Sequence, residues 1–508
     1  MAQFFKIYLW QVISLVTGFA TMFVVTPYLA SNQNYFGIYT FVVSLNLFLA
    51  YADFGFLNAG AKFASEAFAK DDRRGEIKML GFVFFILISV FLIFGLVSTF
   101  FYINPHFLLK GLNSDTDIRL AKDLFLVFIV SLPVLAAQRA IQMIFNIRLN
   151  DYIFQRVYSL LNLLKIVSVF LFFQNGEYHI VLYYAFTQLI SLISVVIGCV
   201  LAKKQFNYDF LELVRALKFE KEIYHKTKGL AYNSLYVTVS WILYYELDSL
   251  LIGKFVGLKE VAVFNICISV MTLARSLYSI LYNPFSAKFN HYIGRNQYQS
   301  LSDAFEKILI IGLPFSVIPT AILIFTMKNF ILVWVGIDYS NAIPIIAVMF
   351  ASYFFTFVSN PTSIAMVALQ KIKKLYVIST IIPIIYWIGI LLTFNNFGLL
   401  SFGIFKFVAF FISACFYIVF AKDMFDINWR LFLTKNVLPA FMVILVCYYI
   451  NTILEVFLPV VKGKVEFLEY AVIIFSYFLF CMSLYYFLSQ PFRCLSKELV
   501  REVFRKGK

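Results

Sequence analysis

Long apolar runs separated by short polar breaks constrain this chain more than any other feature. A bilayer core about 30 Å thick takes roughly 20 apolar residues of helix. Ending each run at charge or at Pro, Gly and Asn clusters yields about fourteen spans. They lie near 5–29, 36–57, 80–102, 123–145, 157–174, 180–201, 229–252, 260–283, 308–327, 344–367, 375–394, 397–421, 436–456 and 470–490. Composition agrees, with 62% of the 508 residues hydrophobic and 14% charged, against roughly 45–50% and 25% in a soluble domain. A water-solvated multidomain enzyme is excluded. Backbone groups have no water to bond in the bilayer core, so an all-α polytopic membrane protein follows. The first run holds only Lys6 and precedes no small-residue cleavage site, so it reads as a span and not as a removed signal peptide.

The formal net charge of +15 is carried mostly by loops. Loops and tails on one side hold roughly 30 cations, including Lys70, Arg73, Arg74, Lys78, Arg148, Arg156 and the run from Lys203 to Lys228; the other side holds about 8. Positive charge marks the cytoplasmic side, so both termini are expected there, as an even number of spans requires. About four cations remain that no loop accommodates: Arg139, Lys165, Arg275 and Lys406. Asp53, Glu246 and Asp248 are the acids in the same situation.

No connection is long enough for a separate extramembrane domain, which disfavours a membrane glycosyltransferase or polymerase. Spans 1 and 7, 3 and 9, and 6 and 12 are each separated by roughly 217–228 residues, which suggests a repeat. A unit of six helices re-enters in the same orientation, so the pseudo-twofold axis runs along the membrane normal. The expected organisation is an N-lobe at 1–201 (helices 1–6), a basic amphipathic cytoplasmic linker at 202–228, a C-lobe at 229–421 (helices 7–12), two further helices at 422–490 and a basic cytoplasmic tail at 491–508. Within the linker, Phe206, Phe210, Leu213, Val214 and Leu217 recur at helical spacing among Lys203, Lys204, Arg215, Lys218 and Lys221. Such a helix suits the headgroup layer. It reads as a surface linker between the lobes, with a gating role as the alternative.

The first two spans contain Thr26-Pro27-Tyr28-Leu29, Tyr35-Phe36-Gly37-Ile38-Tyr39 and Asp53-Phe54-Gly55-Phe56, the last running into Ala61-Lys62. Span 7 contains Glu246-Leu247-Asp248-Ser249-Leu250-Leu251-Ile252-Gly253-Lys254-Phe255 and then Val261-Ala262-Val263-Phe264. These stretches resemble the Wzx-type polysaccharide flippases of the multidrug/oligosaccharidyl-lipid/polysaccharide (MOP) exporter superfamily. The chain departs from that pattern at Ala30 and at Ala262-Val263-Phe264, where the family has Gly and Gly-x-Tyr. Spans 1 and 2 also lack the arginines of the lipid II flippases of that superfamily. The resemblance implies a MOP-exporter fold, no catalytic residues, and translocation of an undecaprenyl-pyrophosphate-linked oligosaccharide for O-antigen, capsule or another surface polysaccharide. It implies a bacterial inner-membrane location and polymerase or ligase machinery as partners.

A charge at the bilayer centre costs at least about 2.5–3.5 kcal/mol on insertion scales, so a retained one faces a partner or a wet cavity. Arg139, Lys165, Arg275 and Lys406 are therefore candidate ligands for the pyrophosphate, Arg by its planar fork and Lys as a point charge. The competing reading is snorkelling of long side chains to the headgroups, to which Lys406, near the middle of its span, is least suited. Asp53, Glu246 and Asp248 are candidates for coupling a proton or sodium ion, or else are interfacial acids paired with Lys62 and Lys254. The membrane potential favours outward movement of an anion by about 2.3 kcal/mol per charge per 100 mV. The six Cys have no metal spacing and read as packing residues, the four His lie in loops, and no Walker-type loop is present. No metal and no cofactor are expected, nor a nucleic-acid partner for the basic tail. A drug or organic-cation antiporter of the same superfamily is the alternative function.

Overall fold

The computed structural model describes residues 2–49, 55–148, 150–174, 177–457 and 464–506. The chain forms two compact units, Met1–Asn265 and Ile266–Lys508. Unit 1 contains α1 (Ala2–Leu29), α2 (Gln33–Leu49), α3 (Phe56–Ala69), α4 (Arg73–Ile103), α5 (Asp115–Ile147), α6 (Asp151–Phe172), α7 (Ile180–Phe206), α8 (Phe210–Arg215), α9 (Lys221–Trp241), α10 (Leu247–Phe255) and the start of α11 (Leu258–Gly294). Unit 2 takes the rest of α11, then α12 (Tyr298–Trp334), α13 (Ala342–Ala351), α14 (Thr356–Ala368), α15 (Ile372–Phe397), α16 (Leu400–Met424), α17 (Trp429–Phe432), α18 (Leu438–Phe457), α19 (Lys464–Leu488) and α20 (Gln490–Lys506).

This is an all-helical, multi-pass membrane protein. Among the described residues twelve helices are long and apolar enough to cross a membrane, or thirteen if Val472–Leu488 and Gln490–Glu498, bent by 103°, form one span. The expected second span corresponds to α2, whose 17 described residues fall just short of a crossing length; the residues that follow it, Asp53 among them, lie outside the described part.

Helix starts follow local chemistry. Asp72 accepts from the Gly75 N–H (2.9 Å) at α4, Ser114 from the Asp117 N–H (3.1 Å) at α5, and Asn428 from the Leu431 N–H (3.0 Å) at α17. Each satisfies a donor that the first helical turn leaves without an intrahelical partner. Pro133, Pro314, Pro319, Pro361 and Pro383 lie inside helices, which membrane spans tolerate because neighbouring groups re-satisfy the freed carbonyls.

Lipid supplies little hydrophobic drive between helices, so close packing depends on small residues. In unit 1, a Cβ on Gly37 of α2 would lie 2.1 Å from the Leu258 carbonyl oxygen, and one on Gly253 of α10 would lie 2.4 Å from the Phe41 ring. These contacts, with the packing of α9 on α3, hold the seventh apolar run within unit 1. In unit 2, α15 and α16 pack closely, with Gly389 against Phe405. There α18 meets α19, bringing Cys447 and Cys481 to a sulfur–sulfur distance of 3.4 Å. Both were expected only as packing residues, because a sequence does not reveal which spans are neighbours.

Candidate functional site

The clearest buried charge in unit 2 is Lys406. Its residue is 0% exposed on α16, which packs against α13, α14 and α15. Its ammonium lies 5.1 Å from the centroid of the Tyr386 ring of α15, and it acts electrostatically on Cys267 of α11. Because α16 starts only at Leu400, Lys406 sits about 9 Å from that end and about 24 Å from Lys422 at the other. The apolar run alone puts it near mid-span; the helix start moves it toward the cation-poor end. Arg275 is half-buried midway along α11. Also in unit 2, an apolar cavity of about 350 Å³ is lined by Val317, Phe355, Phe357, Trp429 and Phe432, with Lys422 among its few polar groups.

In unit 1 the expected cations are half-buried: Arg139 on α5, and Lys165 on α6 with its ammonium 5.3 Å from the Tyr158 ring. The acids of the seventh run are buried more deeply. Five residues of π-helix, Ile242–Glu246, interrupt the α-helix between α9 and α10 and end on Glu246; Asp248 follows on α10. Trp241 and Tyr245 pack with ring centroids 4.1 Å apart, and Tyr244 meets Tyr245 edge-on at 4.8 Å. A π-turn within an α-helix re-aims its side chains and is frequent at functional positions.

Two features of unit 1 escaped the sequence reading. Asn46 of α2 donates from Nδ2 to the Tyr184 hydroxyl of α7 (2.8 Å), a polar link inside the bundle. Arg148, expected as a loop cation, instead forms a buried ion pair with Glu76, N–O 2.6 Å, side chains 8% and 2% exposed. Its guanidinium lies 4.9, 5.3 and 5.2 Å from the centroids of Phe68, Phe206 and Tyr208, and its Nη1 donates to the Ile144 carbonyl. A cavity of about 330 Å³ adjoins it, lined by Asp71, Arg73 and Asn150 among others. Burial, with the Glu76 charge adding to it, pushes the Tyr208 hydroxyl up and keeps it neutral beside the pair. The clue in the sequence was that Arg148, Phe68 and Phe206 all sit at ends of helical runs on one side of the membrane, where those ends must meet. Among the described residues no group of three or more His, Cys, Asp and Glu is placed to hold a metal ion.

No known sequence family and no curated protein matches this chain. Solved structures do. A lipid II flippase MurJ in an inward closed conformation aligns with a TM-score of 0.67 at 17% identity, covering 96% of this chain and 98% of that one. The chain has the fold of the MOP transporters. An inward-facing multidrug MATE transporter of that superfamily aligns with a TM-score of 0.60 at 10% identity, over 82% of this chain and 98% of that one. A MOP transporter from Pyrococcus furiosus with a binding pocket described as reversed in polarity aligns at 0.55 and 12%, over 82% and 95%.

Proposed function

We propose that this protein is a Wzx-type flippase, moving an undecaprenyl-pyrophosphate-linked oligosaccharide from the cytoplasmic to the outer leaflet of a bacterial inner membrane by alternating access. Both termini are cytoplasmic in this reading, and the product feeds polymerase or ligase machinery for O-antigen, capsule or another surface glycan. The observation that carries it is Lys406, wholly buried at membrane depth over a neutral tyrosine ring. A charge retained at such a position faces a partner or a wet cavity, and an ammonium is a point charge suited to phosphate oxygens. The apolar cavity with Lys422 among its few polar groups suits an amphiphile with a long hydrocarbon tail, and the likeness to a structure titled as a lipid II flippase supports a lipid-linked cargo. Arg275, half-buried in unit 2, and Arg139 and Lys165, half-buried in unit 1, remain candidate pyrophosphate ligands on sequence grounds. The membrane potential assists outward movement of the anion, and Glu246 and Asp248 are the coupling candidates for a proton or sodium ion. Asp53 keeps that role on sequence grounds alone.

Flipping of a fluorescent undecaprenyl-pyrophosphate oligosaccharide in proteoliposomes tests the reading. Lys406→Ala is expected to lower the rate at least about tenfold, equivalent to 1.4 kcal/mol, with Lys406→Arg retaining part of it. A Lys406→Ala rate equal to wild type sinks the reading.

A second reading, an organic-cation antiporter, is favoured by the buried Glu246 and Asp248 beside Trp241, Tyr244 and Tyr245. Acids among aromatic faces are what a cationic amphiphile recognises. If Glu246→Gln and Asp248→Asn abolish efflux of a cationic dye while Lys406→Ala leaves lipid flipping intact, this reading replaces the first.

A further inference from the structure

We infer that residues 207–219 of unit 1 form a docking site for anionic phospholipid headgroups, in the leaflet on the cation-rich side of the membrane. The segment presents one face to the protein and a second, adjacent face to the bilayer. The inference does not depend on which substrate is carried.

The protein-facing side is explicit. Asn207, in the left-handed region at φ 49°, ends α7, and its carbonyl accepts a hydrogen bond from Arg73. Tyr208 lies under the Arg148 guanidinium, and Asp209 caps α8 by accepting from the Leu211 and Glu212 N–H groups. Phe210 and Leu213 pack into the apolar cluster that includes Phe82 and Phe154. Ala216 lies against Gly81 of α4 so closely that a Cβ on that glycine would be 2.3 Å from the Ala216 carbonyl oxygen. Of the apolar stripe expected in the headgroups, Phe206, Phe210, Leu213 and Leu217 therefore pack on protein. The reason is that α4 offers a glycine where the linker crosses it.

Val214 of that same stripe, with Leu211, remains outside. Leu211 and Val214 are 63% and 64% exposed. At about 100° per helical residue, with Phe210 as origin, Leu213 lies about 60° to one side and Val214 and Leu211 about 40° and 100° to the other. Arg215 and Glu212 complete the turn at about 140° and 200°. The apolar arc is thus about 160° wide, of which the protein-packed Phe210 and Leu213 span about 60°, and its outer part is Leu211 and Val214. That is the arc of a helix lying flat on a membrane with its flank against a protein wall. The segment lies at the right level, because it joins the end of α7 and packs beside the start of α4, where both helices carry their loop cations.

Charge completes the site. Arg215, Lys218 and Lys221 are exposed, and Arg74, Lys78 and Gly81 follow one face of α4, placing two more exposed cations along the flank on which the linker rests. From 202 to 228 there are seven Lys and Arg against four acids. Asp209 is engaged by backbone N–H groups, and Lys218 and Glu220 offset each other at 3.1 Å, so the remaining excess in the segment is six cations over three acids. Clustered cations beside an inserted apolar edge recognise phosphodiester headgroups with a net negative charge.

Hydrogen exchange of the full-length protein in nanodiscs decides it. Amides of 207–219 are expected to exchange roughly tenfold more slowly in POPC mixed with POPG than in POPC alone, with the difference shrinking as NaCl is raised. Arg215→Gln/Lys218→Gln and, separately, Leu211→Ser/Val214→Ser should each remove that difference, while exchange in α4 and α5 reports whether the unit remains folded. Equal exchange of the wild-type segment in the two lipids overturns the inference. So does a lipid difference that survives both double variants.

Discussion

Two buried cations, one in each unit, have different surroundings. In unit 1 the Arg148 guanidinium meets a carboxylate at 2.6 Å inside a cage of three rings, so the whole group is electrically balanced. In unit 2 the Lys406 ammonium lies 5.1 Å from the centroid of the Tyr386 ring, on a helix packed against α13, α14 and α15. Burying an ion pair costs desolvation but loses little if both partners remain; removing one partner strands the other. The first arrangement therefore suits a joint that ties the ends of α3, α4, α5 and α7 to the linker. The second is the position proposed above as a ligand for the pyrophosphate. Position in the sequence suggested the reverse for Arg148, which counted as a loop cation.

That contrast can be attacked by mutation. Glu76→Gln should destabilise unit 1 by about 3–5 kcal/mol, because it leaves a buried guanidinium uncompensated. Chemical unfolding in detergent would measure this, and Glu76→Gln/Arg148→Met should recover most of the loss. A single-variant cost under about 1 kcal/mol would mean the pair is not what holds the joint. Gly37→Ala probes ordinary packing in the same unit. Its new Cβ must push the Leu258 backbone away, at an expected 1–3 kcal/mol. Tyr208→Leu removes one wall of the Arg148 cage and should cost about 0.5–2 kcal/mol in the same assay, less than Glu76→Gln because the carboxylate stays. Lys406→Met is the converse. Stability should stay within about 1 kcal/mol of wild type or rise slightly, since an apolar side chain of similar length fills the space, while flipping falls. If Lys406→Met unfolded the protein as readily as Glu76→Gln, the distinction between joint and site would fail.

The cysteine pair sharpens the picture at a smaller scale. With sulfurs 3.4 Å apart, Cys447 and Cys481 should cross-link in membranes treated with a thiol oxidant, which would be read as loss of labelling by a maleimide under denaturing conditions. Retained labelling would show that α18 and α19 do not pack as described.

The spans were legible from sequence because lipid permits only one backbone solution for a long apolar run, so composition and length alone predict helix. The candidates Lys406, Glu246 and Asp248 were legible for a related reason: a charge inside such a run is conspicuous. Arg148 was not, because nothing in a linear pattern tells a cation that snorkels into water from one folded back under three rings. The linker was half legible. Its amphipathic period stood out, but whether Phe210 and Leu213 met lipid or protein depended on Gly81, some 130 residues earlier in the chain.

The order of apolar and polar residues alone therefore establishes that this chain is helical and crosses a membrane many times. These properties follow from solvent physics acting on each segment separately. Helix packing, in contrast, set Arg148 against Glu76 and Lys406 over the Tyr386 ring, and turned Phe210 and Leu213 onto protein while leaving Leu211 and Val214 exposed. Those outcomes depend on the ends of different helices meeting within a few ångströms, which no single segment encodes.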